Sequence, residues 1–168
     1  QINVKVVKDL QARINLYMGG KIDAVGLSKN WVAKYSDRDD FRKKLGTSVY
    51  YFKFNEKNKY LKNPNIRKAI SMGWDRQAYV DKLLNNGSVV ATGLIPGGFV
   101  KTADGKDFRE ANGDLQNYDL EKAKEYWQKG LDELGVKNVE LEILAYDGPD
   151  YKQNITYIAN QLQKNLPG

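Results

Sequence analysis

The chain has no cysteine and no histidine among its 168 residues, with two methionines and four prolines. Those first two absences close whole classes of chemistry. Without thiols there is no disulfide framework and no thiolate nucleophile, and without imidazole there is no Ser-His-Asp triad, no Cys-His pair and no His/Cys zinc site. No apolar run approaches the ~20 residues of a membrane-spanning helix, and no basic start leads into an apolar leader. A phosphate-wrapping G-x-x-x-x-G-K-[ST] loop is also missing. Gly19-Gly20-Lys21 is too short for that work and reads as the end of a helix.

What is present is a moderately basic, tyrosine-rich chain. Lysine and arginine total 27 against 21 acids, a net charge of +6, and there are 11 tyrosines. The charges lie along polar helix faces, as in Lys122, Lys124, Glu125 and Lys129, and form no single basic block. That pattern describes a solvated surface, and the chain is not read as a nucleic-acid binder. The aromatic run Tyr50-Tyr51-Phe52 lacks the glycine-containing core motif of an RNA-binding sheet.

Strand and helix periods alternate along the chain. Apolar alternation marks strands over Ile2 to Val7, Asp23 to Leu27, Ser48 to Phe54 and Val139 to Ala145. Because Ser48 to Phe54 is apolar on both faces, it is expected at the centre of a helix-covered sheet. Asp9 caps a first helix with Leu10, Ile14 and Tyr17 on one face, and Ser28 caps a short one carrying Trp31, Val32 and Tyr35. Ser36 to Asp40 reads as a surface turn, and Val100 to Asn117, rich in Gly, Asp, Asn and Lys, as loop.

The densest signal runs from Asn63 to Pro96. Asn63 is an N-cap with Pro64 at the first helical position, and Ile66, Ala69, Ile70 and Gly73 form the buried stripe. Asp75 then caps a second helix with Tyr79, Val80, Leu83 and Leu84 on its inner face, ended by Asn86-Gly87. Asp119 caps a long helix whose stripe is Leu120, Ala123, Trp127, Leu131 and Leu134, closed by Gly135. A last helix buries Ile155, Ile158, Ala159, Leu162 and Leu166. The three tryptophans sit on apolar helix faces and are expected in the core. Alternating strands and helices of this length predict a single α/β domain with a central sheet flanked by helices, and no repeat or linker interrupts it.

Ile66-Arg67-Lys68-Ala69-Ile70-Ser71 followed by Asp75-Arg76 and closed by Gly87 and Pro96 resembles the solute-binding proteins of oligopeptide ABC transporters. The likeness extends upstream through Leu16 to Asp23 and Ser48 to Asn55, and downstream through Tyr118 to Lys124, Gly135 and Val139 to Ala145. It implies a type II periplasmic-binding-protein-like fold. Members of that family are much larger and two-lobed, so residues 1–168 are expected to be one partial domain, a piece of the C-terminal lobe. The opening strand and the stop after a helix at Leu166-Pro167-Gly168 carry the same expectation. The resemblance further implies a monomer, held outside the cytoplasmic membrane by a lipid anchor or free in a periplasm, that takes an oligopeptide and passes it to permease subunits. Neither a cofactor nor a metal is implied.

Ligands of α/β folds lie beyond the carboxyl ends of strands, so the segment after Val139 to Ala145 is the first place to look. It offers Tyr146, Asp147 and Tyr151, and the resemblance puts the same loop at the peptide cleft. The two tyrosines serve equally well as surface rings packing the start of the last helix. Asp9 and Gln11, at the start of the first helix, are weaker candidates. The family's main peptide anchors are expected beyond Gly168, so the chain alone is expected to bind little.

Two acidic groups weigh against binding in favour of scaffold. Asp104, Asp107, Glu110 and Asp114 depart from the calcium-loop spacing and read as a solvated loop. Asp147 and Asp150 flank Gly148-Pro149, and a turn with Asp150 as helix cap is preferred to paired-carboxylate catalysis. The chain is therefore read as non-catalytic. The alternatives from other classes are a peptide-sensing domain of a regulator and a surface adhesin reusing the fold.

Overall fold

The structure, a computed structural model, describes residues 2–28 and 30–168. In chain order the helices are α1 (Leu10–Met18), α2 (Asn30–Tyr35), α3 (Pro64–Met72), α4 (Arg76–Ala78) running on as a π-helical turn (Tyr79–Leu84), α5 (Phe108–Asn112), α6 (Leu120–Leu134) and α7 (Pro149–Asn165). Their starts follow side-chain chemistry closely. Asp9, Asn63, Asp75, Asp107 and Asp119 each sit at an N-cap and accept hydrogen bonds from first-turn backbone N–H groups, satisfying donors that have no intrahelical partner.

The core is built where α3 crosses α6, with the end of α7 closing it. Ile66, Ala69, Ile70, Ala123, Trp127, Leu131 and Leu166 form one buried cluster. Gly130 sets the spacing. A Cβ there would stand 2.6 Å from Ile66 Cδ1 and 3.2 Å from the Ile66 backbone nitrogen, so a larger residue would push the helices apart. Polar ties lock the same crossing: Asn63 and Asn65 donate to Glu133 Oε2 at 2.8 and 2.9 Å, and the Trp127 indole donates to the Pro167 carbonyl at 2.7 Å. The Asn165 side chain donates to the Gly73 carbonyl at 2.8 Å, and the Asp75 backbone N–H donates to Gln161 Oε1 at 2.9 Å.

The expected central sheet is not formed among the described residues. Segments 2–7, 23–27, 48–54 and 140–145 make no backbone hydrogen bond to another described residue, and among the described residues the one β-bridge is the isolated pair Lys101 and Asp107. A strand is stabilised by a neighbour's ladder, and none of these segments makes one with another described residue. Their side-chain alternation survives all the same. Val139, Leu141 and Ile143 are half-buried, while Glu140, Glu142 and Leu144 are exposed.

Several local expectations need correction. Segment 48–54 is only partly covered, with Val49, Phe52 and Phe54 half-buried and Tyr50 and Tyr51 at 85% and 69% exposure. The second helix ends one residue early, at Asn85, whose own left-handed backbone (φ 38°) makes the turn before Gly87 is reached. Residues 100–117 are not all loop: Asp107 accepts from the backbone N–H groups of Arg109 and Glu110 and starts α5. The cap of α7 is Gly148, at φ 137°, and Asp150 lies in the first turn. Of the tryptophans, Trp74 and Trp127 are buried at 9% and 6% exposure. Trp31 is half-buried on the short α2, stacked on Tyr35 with Lys34 over its ring.

Candidate functional site

Beside the α3–α6 core, and lined in part by Arg67 and Lys68 of α3 and Tyr126 of α6, the molecule opens into a broad cleft of about 2830 Å³. A closed small-molecule pocket is typically ~300–1,000 Å³, so a recess of this size is open to solvent. The extended segments 23–27 and 48–54 form part of the wall, and the inner face of α7, through Asn154, Ile155 and Ile158, forms another.

A chain of aromatic contacts forms the wall behind that opening and braces it. Phe52 meets Trp74 edge-on (centroids 6.2 Å, 70°), Trp74 meets Tyr79 (5.6 Å, 83°), and Tyr79 leans on Tyr157 of α7 (5.9 Å). Edge-to-face packing of this kind holds rings in fixed orientations. Burial among them pushes the Tyr79 phenol above its ordinary value. Arg76 stacks on Trp74, 5.2 Å from the ring centre, and donates through Nη2 to the Ser71 carbonyl and hydroxyl. Desolvation holds the Arg76 guanidinium below its usual pKa.

The far side of the cleft is fastened by a compact polar knot. Tyr17 donates to Asp40 Oδ2 at 2.8 Å, and Arg38 donates to both oxygens of the same carboxylate at 2.8 Å. The two donors, Arg38 first, hold the Asp40 carboxyl well below the usual carboxylate range. The knot ties α1 to the turn that the sequence placed at Ser36 to Asp40.

Of the residues nominated from sequence, Tyr146 and Tyr151 come together, their rings 5.6 Å apart and tilted by 58°, and both line the cleft. Tyr146 is 81% exposed and Tyr151 40%. Asp147 is exposed in the same loop, and its neighbour Asp150 lines the cleft from the first turn of α7. Asp9 and Gln11 stand apart from it. The Asp9 carboxylate is occupied as the cap of α1, accepting from the Ala12 N–H at 2.7 Å, and Gln11 donates to Asn15 Oδ1 at 2.8 Å.

The sequence places Trp74 in the core and reads Asp75-Arg76 as a helix start, so neither Trp74 nor Arg76 stands out there as a site residue. The signal in the sequence is a cation two residues after a tryptophan expected in the core. Among the described residues no group of three or more acids comes close enough to hold a metal ion.

Comparison with known proteins follows the same outline. The family model "Bacterial extracellular solute-binding proteins, family 5 Middle" matches residues 1–167. A dipeptide-binding protein of Lactococcus lactis subsp. cremoris (strain MG1363) is 31% identical over 183 residues, covering 100% of this chain and 32% of that protein. The dipeptide-binding protein DppE of Bacillus subtilis (strain 168) is 28% identical over 162 residues, covering 96% of this chain and 30% of that protein. Among solved structures, Listeria monocytogenes OppA bound to peptide superposes with a TM-score of 0.84 at 36% identity, covering 98% of this chain and 33% of that one. The chain thus spans about a third of the length of these relatives. Matched by the family model over nearly its whole length, it belongs to the bacterial extracellular solute-binding proteins of family 5.

Proposed function

We propose that this chain is part of the C-terminal lobe of a peptide-binding protein that captures oligopeptides outside the cell and delivers them to the permease of an ABC transporter. The observation that carries this reading is the likeness, over 98% of the chain, to an OppA structure solved with a peptide bound. The family is one of solute-binding proteins and not a class of enzymes. That fits a cleft wall of aromatic and amide groups in a chain without histidine or cysteine.

An extended peptide suits such a wall. Its backbone N–H and C=O groups can be held strand-fashion by unladdered segments, while roomy, wet pockets accept varied side chains. Tyr146 and Tyr151 are the side-chain contacts this reading favours, with Asp147 beside them. Asp9 and Gln11 keep a lesser place, since their polar groups are already engaged within α1. Closure of two lobes would bury the ligand and exclude bulk water. The protein acts as an extracytoplasmic monomer at the membrane's outer face, and no helix among the described residues is long and apolar enough to cross a membrane.

Native mass spectrometry of the full-length polypeptide with a random peptide library tests the proposal. Retention of peptides is the expected outcome. Failure to retain a peptide of any length overturns it.

A further inference from the structure

The cleft wall is more cationic than the chain as a whole. Its described lining residues include ten lysines and arginines against four acids, whereas the whole chain has 27 against 21. Among these acids Asp40 pairs with Arg38 at 2.8 Å and Glu56 with Arg67 at 3.7 Å, each removing one lining cation with one lining acid and leaving the surplus unchanged. A concave surface lined by one sign of charge concentrates ligands of the other sign.

Within that field one cation is set apart by its surroundings. Arg76 lines the cleft at its aromatic wall, and its Nη1 is shielded from water with no hydrogen-bond partner. Its other contacts are neutral: the Ser71 carbonyl and hydroxyl, and the face of Trp74. No carboxylate among the described residues pairs with it, and the adjacent Asp75 is committed to the Ala78 N–H at 2.8 Å. A partly buried guanidinium without a counter-ion is an unfavourable arrangement that a carboxylate relieves. The planar fork matches a carboxylate with two parallel hydrogen bonds, and a low-dielectric aromatic surround strengthens them. Side-chain rotation that exchanges the Ser71 contacts for such a pair replaces neutral acceptors by a charged one.

We propose that the cleft selects peptides with acidic side chains over neutral and basic ones of equal length, with Arg76 as the residue that receives a side-chain carboxylate at the Trp74 wall. This rests on the peptide-binding reading above and narrows its substrate class.

The experiment is calorimetric titration of the full-length polypeptide with three pentapeptides that differ only in carrying two Glu, two Gln or two Lys, at low salt and at about 0.5 M salt. The expected result is at least a tenfold preference for the Glu peptide over the Lys peptide. It should persist in part at high salt, where diffuse surface attraction is screened within a few ångströms. Arg76→Gln should bring the preference to threefold or less. If that variant does not fold, the salt series on the unaltered protein still decides. Equal affinity for all three peptides overturns the selectivity and leaves peptide binding standing, whereas no binding of any peptide overturns the peptide reading itself. A preference that vanishes in salt, or survives unchanged in Arg76→Gln, overturns the role of Arg76.

Discussion

The α3–α6–α7 core and the extended segments outside it are both rich in apolar residues, yet they end in opposite states. Ile66 and Ala69 are fully buried and Ile70 nearly so, while Ile2, Val4 and Val6 are 91%, 83% and 90% exposed and Leu144 is 92% exposed. The difference lies in where each element finds its partners. A helix satisfies its backbone internally and needs only one apolar face covered, and α3 finds that cover in α6 and in Leu166. A strand needs a neighbour's ladder before its side chains can be buried, and these segments have none among the described residues. Under the partial-lobe reading, the remaining two thirds of a relative's length are where such neighbours come from.

Truncating the packed side of this comparison should have the largest effect. Ile66→Ala opens a cavity at a fully buried residue beneath Gly130, and a loss of about 3–4 kcal/mol is expected in urea or thermal unfolding. A loss under about 1 kcal/mol would mean that the α3–α6 contact is not the centre of stability. Gly130→Ala comes next. The added Cβ meets the Ile66 Cδ1 and Cγ1 atoms at 2.6 and 2.8 Å, which outweighs the better helix propensity of alanine and should cost about 1–3 kcal/mol. Shortening the obstructing side chain tests the cause directly. In an Ile66→Val background the penalty of Gly130→Ala should shrink, a coupling that additive behaviour would contradict.

The same two regions explain what could be read from sequence. Caps at Asp9, Asn63, Asp75 and Asp119, and the left-handed close at Gly135, are chemistry between residues a few positions apart, so the helices were legible. The alternation of Val139 to Ala145 was legible too, but whether it becomes a ladder depends on residues far away in the chain. Gly130 has no local signature in the sequence, as a glycine in mid-helix; its meaning lies in Ile66, across the helix crossing. At the cleft, Tyr146 and Tyr151 could be nominated from a strand-to-helix loop. The cation at Arg76 could not, since its burial depends on Trp74 and on the wall behind it.

On the open side, substitutions should be almost silent. Val4→Thr and Leu144→Thr change side chains that touch little, so each should shift stability by no more than about 0.5 kcal/mol in this chain. In the full-length polypeptide the same substitutions should cost more, because a completed sheet would cover them. Equal, small effects in both would break the comparison, since these segments would then be surface in every context.

A smaller effect, carried by pH, belongs to the packed side. Asn63 and Asn65 both donate to Glu133 and hold its carboxyl below the ordinary value, with Asn63 first. A carboxylate whose pKa is lowered by folding contributes stability that is fully present above its unfolded pKa, about 4.3 for Glu, and is lost as pH falls through the lower folded value. Stability measured from pH 6 downward should therefore decline below about pH 4.5. Part of that decline should disappear in Glu133→Gln, whose amide oxygen still accepts but no longer titrates. Asp119, lowered by the Lys122 backbone N–H, and Asp40, lowered chiefly by Arg38, contribute in the same direction. The Glu133→Gln difference is thus a fraction of the total slope. An acid profile that Glu133→Gln leaves unchanged would show that the Asn63–Glu133–Asn65 tie is formed without influence on the stability of the α3–α6 crossing.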